Sequence, residues 1–260
     1  MTNNLTDKSL HNHKHDILFK ELIITFFKEY LELTQPTVAK RIDFNHISVL
    51  EDHMGFWNAA GKNQDIAELD TVIQVHRKKT RKKLIFYIES HSQKCENLPW
   101  HILCGFSSYL DCPDSNAIPQ SICLNSAHSN IYNEHHSSQL QKRFGTELHF
   151  RYEKIDLTSL NLDEHKNSNN PFSIACLPFM QGFTDLTPTE KMNLKIEAYI
   201  NLYKLKLDLK KSSLVVQLLE MNIPTDTDTI NILEEQLRIR SASIPGFSDW
   251  ILENQKEKIR

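Results

Sequence analysis

Apolar residues near the start of the chain recur at helical intervals. Residues 15–33 read HDILFKELIITFFKEYLEL, and this pattern predicts one long buried helix. Asp16 suits the N-cap or the first turn. Pro36 is expected to end the helix, because the residue before a proline is pushed out of the α region. Residues 1–14 are polar and are expected to be disordered.

Shorter apolar runs rich in β-branched and aromatic residues follow. LDTVIQV at residues 69–75 and KLIFYIES at residues 83–90 are separated by the basic run HRKKTRKK, and together they predict an antiparallel hairpin. WHILCGFSSYL at residues 100–110 has helical periodicity. Further extended segments are expected at residues 47–50, 117–124 and 148–155.

The pattern changes after the last of these strands and becomes almost wholly helical. Thr187, Pro188 and Glu190 have the spacing of a helix start, and Pro224 with Thr225 is expected to divide the next two helices. The sequence therefore predicts a disordered N-terminus at residues 1–14, an α/β domain at residues 15–160 and a helical region at residues 161–260.

Composition narrows the class of protein. The 260 residues contain only six glycines and neither a GxGxxG nor a GxxxxGK[ST] motif, which argues against a glycine-rich phosphate cradle. We find no signal peptide and no apolar stretch of membrane length. The five cysteines form no CxxC pair. We therefore expect a cytoplasmic protein without membrane contact, whose cysteines are reduced core residues.

Charge is unevenly distributed along a chain whose formal net charge is −3. Residues 76–83 form a dense cationic run between two predicted strands, so they should lie at an exposed hairpin tip. One interpretation is a solvated turn that protects a sheet edge. The other is a loop that contacts nucleic-acid phosphates through four cations: Lys78, Lys79, Arg81 and Lys82.

Two carboxylates flank the predicted hairpin. Asp70 begins one strand and Glu89 ends the other, so antiparallel pairing would bring them to the same end of the sheet. Two hard oxygen donors suit Mg²⁺ or Mn²⁺. Ordinary strand-end carboxylates are the competing interpretation.

The order of these segments resembles a known family. HDILFKELIITFFKEYLEL, IDFNHISVLE, ELDTVIQV and LIFYIESHSQ follow one another as in the Rpn family of recombination-promoting nucleases and transposase-like proteins, within the PD-(D/E)XK superfamily. The resemblance covers roughly the first 155 residues. It implies an α/β fold with a restriction-endonuclease-like core, a mixed sheet flanked by helices, and an α-helical C-terminal appendage.

The resemblance also implies functional residues. The metal-binding aspartate of the family matches Asp70, and the glutamate of its strand-end E-x-Q motif matches Glu89. Glu21 on the first helix is a further metal candidate, and Gln93 stands where the family often has a second glutamine. His91 replaces the usual Gln or Lys of the motif; it can still hydrogen-bond a water or carry a proton.

Two functions follow from these assignments. The first is a Mg²⁺- or Mn²⁺-dependent DNA endonuclease that promotes recombination or transposition, with Asp70, Glu89, His91 and Gln93 at the reaction centre. The second is a catalytically degenerate relative that binds DNA or protein. A transposition-associated accessory protein and a homodimer through the C-terminal helices stay open.

The 13 histidines lack the HExxH spacing of a zinc site, so surface histidines are the expected interpretation.

Overall fold

The chain folds into two compact units, and each is described by itself. A computed structural model describes residues 3–50, 71–91, 98–107, 109, 115–123, 134–136, 149–226 and 229–257. One unit contains residues 36–156 and holds the strands, and the other combines residues 1–35 with residues 157–260. The first helix, which the sequence analysis grouped with the strands, thus belongs to the helical unit.

The sheet unit is built on a five-stranded mixed sheet, whose strands in spatial order are β1 (Ile42–Val49), β2 (Thr71–Arg77), β3 (Lys83–His91), β4 (Ser115–Cys123) and β7 (Glu153–Asp156). Strands β1, β2 and β3 pair antiparallel, whereas β4 and β7 run parallel to β3. Helix α3 (Pro36–Ala39) precedes β1, and helix α4 (Leu98–Ser107) connects β3 to β4. Two further strands are β5 (Glu134–His136) and β6 (His149–Arg151).

One face of this sheet packs against α4. A buried apolar cluster joins side chains of β2 and β3 to α4 and to two aromatic residues in and just after β6. Its members are Val72, Ile85, Tyr87, Ile102, Phe106, Phe150 and Tyr152. The backbone of α4 comes so close to Tyr87 that a Cβ at Gly105 would overlap the Tyr87 hydroxyl. Only a residue without a side chain fits there, because overpacking a dense core costs free energy.

Most of the predicted strands are confirmed, with shifted ends. The antiparallel β2–β3 hairpin has the predicted basic turn, and the helix expected from residue 100 begins at Leu98. The single strand expected over residues 148–155 is wrong, because it divides at Tyr152 into β6, which pairs with β5, and β7, which joins the main sheet. A buried Tyr152 makes the apolar run look continuous.

The helical unit contains the first two helices and all those after β7. They are α1 (Asn3–Thr25), α2 (Phe27–Thr34), α5 (Leu162–His165), α6 (Pro171–Cys176), α7 (Pro188–Lys204), α8 (Leu209–Asn222), α9 (Ile230–Ser243) and α10 (Phe247–Lys256). The predicted start at Pro188 is confirmed, since Thr187 and Glu190 form a reciprocal capping box. Pro224 lies between α8 and α9, as predicted.

The first predicted helix differs from expectation. It begins at Asn3, within the segment expected to be disordered, and it breaks at Phe26, whose backbone leaves the helical region. Asp16 is therefore inside α1, and its prediction as an N-cap is wrong. The apolar pattern continues across Phe26, which is itself buried, so periodicity alone did not reveal the break.

A buried charge network holds α7 to α8. The Lys195 ammonium is fully buried and donates to Glu220 Oε2 at 2.6 Å, to the Ile223 carbonyl at 2.8 Å and to Thr225 Oγ1 at 3.0 Å. Tyr199 donates to the other Glu220 oxygen. Burial lowers the pKa of Lys195 against the opposing effect of Glu220, so the ammonium depends on these acceptors.

Within the described ranges, no helix is long and apolar enough to cross a membrane. Cys176 is a free, buried cysteine, and burial raises the pKa of its thiol well above the usual value. Its prediction as a core residue is confirmed.

Candidate metal and nucleic-acid site

Glu89 lies near the carboxyl end of β3, in the middle of the sheet. The hairpin register pairs Thr71 with Ile88, and in the sequence Asp70 precedes Thr71 while Glu89 follows Ile88. Glu89 is half-buried. The observed register places the sequence neighbours of Asp70 and Glu89 opposite each other, and the acidic pair itself stays a prediction.

The other predicted reaction-centre residues are described only in part. Asp70 and Gln93 lie outside the described residues. His91 is the last residue of β3, and only its backbone placement is described. Within the described parts of the chain, no group of three or more His, Cys, Asp and Glu side chains is arranged to hold a metal ion.

The parallel strands bring further polar residues level with Glu89. Glu89 is in register with Ser121 of β4, and Ser121 is in register with Lys154 of β7. One step along, His91 is in register with Cys123, and Cys123 with Asp156. Two lateral rows of polar residues, Glu89–Ser121–Lys154 and His91–Cys123–Asp156, therefore cross the carboxyl ends of these strands.

The face of the five-stranded sheet that packs against α4 changes from apolar to polar toward the carboxyl ends of the parallel strands. Tyr87 belongs to the apolar cluster under α4, Glu89 lies two positions farther along β3, and Lys154 is level with Glu89 through Ser121. Side chains two positions apart on a strand share a face. The Lys154 ammonium lies 3.8 Å from Asp156 Oδ2. Opposite charges thus gather where the carboxyl ends of parallel strands meet.

The four predicted phosphate-contacting cations lie at the opposite end of the hairpin. Lys78, Lys79, Arg81 and Lys82 form the exposed turn between β2 and β3. The Lys78 N–H donates to the Arg41 carbonyl at 2.9 Å, so the segment before β1 lies beside the turn. Together the exposed cations form what we call the hairpin-tip patch: Lys40, Arg41, Arg77, Lys78, Lys79, Arg81, Lys82 and Lys83.

Arg81 differs from the three lysines of the turn. It adopts a left-handed backbone, with φ of 58°, and its guanidinium lies 2.7 Å from Asp43 Oδ2. The Asn45 backbone N–H also donates to Asp43. This hydrogen bond, with His46 and Arg81 nearby, holds the pKa of the Asp43 carboxyl below its usual value. Arg81 therefore fastens the turn to β1, a role that its sequence position did not reveal.

The hairpin-tip patch and Glu89 do not form one contiguous site. Glu89 is the sixth residue after Lys83 along β3, and a strand rises about 3.3 Å per residue, so the two lie about 20 Å apart. The structure therefore brings the four cations together with one another and with Lys40 and Arg41, but not with Glu89.

Glu21, the helical metal candidate, lies on α1 in the helical unit. It lines a cavity of about 310 Å³ together with polar and apolar residues of the same unit, namely Thr25, Asp208, Lys210, Lys211 and Leu214. The surroundings of Glu21 within this unit are thus of mixed charge. Its part in the metal site of Glu89 stays a prediction.

Sequence reasoning missed Lys40, Arg41, Lys154 and Asp156. Lys40 and Arg41 are next to each other in the sequence, and a search for basic pairs before a strand would have found them. Lys154 and Asp156 carry no such signal, because their relation to Glu89 depends on the parallel register of β3, β4 and β7.

The fold and these residues define an α/β protein with a five-stranded mixed sheet, carrying carboxylates and a lysine at the carboxyl ends of its parallel strands. Comparison with protein-family models, with curated proteins and with solved structures finds no match to this chain.

Proposed function

We propose that this chain is a metal-dependent DNA endonuclease of the PD-(D/E)XK type, in which Asp70 and Glu89 hold Mg²⁺ or Mn²⁺. The observation that carries the proposal is the β2–β3 register, which places the neighbours of these two residues, Thr71 and Ile88, opposite each other. A mixed sheet with an α-helical crossover is compatible with this class. Recombination or transposition is the process that such an enzyme would serve.

The chemistry follows from two carboxylates at a strand end. Asp70 and Glu89 would hold the divalent cation, which would supply polarisation of a phosphodiester and a bound water of lowered pKa. The water oxygen attacks phosphorus, the bond to one sugar oxygen breaks, and that oxygen takes up a proton. His91 and Gln93 would position the water or stabilise the charge that develops on the phosphate.

The hairpin-tip patch supports this function from a distance. A separation of about 20 Å corresponds to about six base pairs at 3.4 Å each. The patch would therefore contact the backbone well away from the scissile bond. Such contacts carry no sequence information, so we expect weakly specific cleavage that falls steeply with salt.

The second candidate is a catalytically degenerate protein that binds DNA. The exposed lysines of the hairpin tip favour it, because they would attract nucleic acid whether or not a metal site is complete. His91 discriminates between the candidates: if His91→Gln creates or greatly raises cleavage, the natural chain is the degenerate form. Homodimerisation through the C-terminal helices stays a prediction.

Cleavage of supercoiled plasmid tests the first proposal. The purified full chain is incubated at low salt with Mg²⁺, Mn²⁺ or EDTA, beside Asp70→Ala and Glu89→Ala. We expect metal-dependent nicking that both substitutions abolish while the circular dichroism spectrum is unchanged. No nicking by the natural chain under any of these conditions, or equal nicking by either variant, would refute the nuclease assignment.

A further inference from the structure

A bulge in β1 brings His46 back to the side of the strand that carries Asp43. Asp43 pairs with His76 of β2. Ser48, five residues later, pairs with Gln74, which is only two residues from His76. Residues three apart on a regular strand point to opposite faces, but here His46 Nδ1 lies 3.5 Å from Asp43 Oδ2. The extra residues of the bulge therefore place a histidine beside the ion pair that fastens the hairpin tip.

The two oxygens of Asp43 have different partners. Oδ1 accepts from the backbone N–H and the side-chain amide of Asn45, at 3.1 and 3.0 Å. Oδ2 accepts from Arg81 at 2.7 Å, whereas His46 lies beyond the usual range of a hydrogen bond. The Asn45 N–H, with His46 and Arg81, holds the pKa of the Asp43 carboxyl below its usual value. Asp43 therefore stays ionised at every pH where histidine changes its charge.

His46 and Arg81 both reach solvent, while the carboxylate between them does not. Their side chains are 61% and 67% exposed, and Asp43 is buried. At neutral pH the charges of Arg81 and Asp43 cancel. When His46 takes up a proton, one carboxylate faces two cations, so this group of three side chains gains a net positive charge. His46 can then donate to Oδ2 while the Arg81 guanidinium contacts an external anion.

His76 lies next to His46 but is held differently. The ring centroids are 6.3 Å apart, and the rings are nearly perpendicular. His76 Nδ1 is buried and, among the described residues, has no hydrogen-bond partner. In the sheet His76 is paired with Asp43 on one side and with the exposed Lys83 on the other. A proton on His46 Nδ1 thus faces an acceptor in Asp43, whereas a proton on His76 Nδ1 would be a buried, unpaired donor.

We propose that the hairpin tip binds the nucleic-acid backbone more tightly at mildly acidic pH, because protonated His46 takes the place of Arg81 on Asp43 and leaves the guanidinium to a phosphate. This inference rests on the proposed contact between the tip and the backbone, and it does not depend on the metal site. One further phosphate contact strengthens binding about 3- to 10-fold at about 0.1 M salt, through the release of a counterion.

DNA binding at two pH values tests the role of His46 without requiring cleavage. Fluorescence anisotropy with a duplex of about 20 base pairs is measured in EDTA at several salt concentrations, at about pH 5.5 and about pH 7.5. The proteins are the natural chain, His46→Gln, His46→Lys and His165→Gln. The last is a matched control, because His165 lies on α5 in the helical unit.

We expect the natural chain and His165→Gln to bind DNA about 3- to 10-fold more tightly at the lower pH, with a slope of log affinity against log salt that is steeper by about 0.9. His46→Gln should lose most of this gain. His46→Lys is charged at both pH values, so it should bind at about pH 7.5 as tightly as the natural chain does at about pH 5.5.

The possible failures are distinguishable. An equal gain in His46→Gln and the natural chain would refute the role of His46, and so would a folded His46→Lys that binds no more tightly than the natural chain at neutral pH. Absence of DNA binding by the natural chain at both pH values would overturn the proposed contact of the tip with DNA, and this inference with it. The expected pH response in a chain that does not nick plasmid would support this inference and refute only the nuclease assignment.

Discussion

The two ends of the sheet differ in how their charged residues are held. At the hairpin tip, the cations are exposed and come from one turn and the segment before β1. At the carboxyl ends, Glu89, Lys154 and Asp156 are half-buried and come from strands that are distant in the sequence. The cations of the hairpin tip would attract a ligand through their summed charge. The residues at the carboxyl ends would bind a ligand only in a fixed arrangement.

This difference predicts different responses to substitution. A patch of exposed cations loses affinity gradually as charges are removed, because each contributes separately to the release of counterions. A metal and phosphate site requires each ligand within a few tenths of an ångström. Substitutions that separate the two responses therefore test whether the ends have separate functions.

The largest effect on DNA binding is expected from removing three lysines of the turn. Lys78→Ala/Lys79→Ala/Lys82→Ala should weaken DNA binding by about 10- to 100-fold at low salt and lower the slope of log affinity against log salt by up to about 3. Fluorescence anisotropy with a duplex of about 20 base pairs measures both quantities.

The matched control for this variant removes three exposed lysines of the helical unit, Lys28→Ala/Lys166→Ala/Lys204→Ala, and changes the net charge equally. An equal loss of affinity in the control would show that overall charge, rather than the hairpin tip, binds DNA.

A smaller effect, at the other end of the sheet, is expected from Gly105→Ala. The added methyl group must displace Tyr87, which lies two residues before Glu89 on the same face. We expect the free energy of unfolding to fall by about 1–3 kcal/mol and Mn²⁺ affinity to fall several-fold, with DNA binding by the tip unchanged. Urea denaturation measures the free energy of unfolding, electron paramagnetic resonance the Mn²⁺ affinity, and fluorescence anisotropy the DNA binding. Full stability with unchanged Mn²⁺ affinity would contradict the contact between α4 and Tyr87.

The smallest effect is expected from Asp43, whose pKa is lowered in the folded chain. A depressed carboxyl pKa contributes stability that is complete above the unfolded value of about 4 and is lost as pH falls through the folded pKa. Between about pH 5 and pH 2, Asp43→Asn should therefore lose less stability than the natural chain. Thermal melting across this range measures the difference, and parallel pH profiles would argue against the Asp43 interactions.

Much of the secondary structure was predictable from local pattern. The β2–β3 hairpin and the helix beginning at Pro188 carry strong local signals, namely β-branched runs about a basic turn and a capping box. The break at Phe26 and the division at Tyr152 were missed, because buried apolar residues there continue the pattern while the backbone changes direction.

The site was predictable only in its local part. The position of Glu89 at a strand end follows from the hairpin alone. The Lys154 position requires knowing that β4 and β7 lie parallel to β3, which no short-range pattern contains. The separation of the hairpin tip from Glu89 was inherent in the predicted hairpin, since a turn and the open end of a hairpin are opposite ends.

Mn²⁺ titration of the natural chain and Glu89→Gln, followed by electron paramagnetic resonance in the absence of DNA, tests the proposed metal site most directly. We predict that the natural chain and the variant lacking the three turn lysines bind Mn²⁺ equally. Glu89→Gln should bind at least about 100-fold more weakly, since even a partner outside the direct ligands contributes 10- to 100-fold. Equal Mn²⁺ affinity in Glu89→Gln and the natural chain would contradict the assignment of Glu89 as a metal ligand.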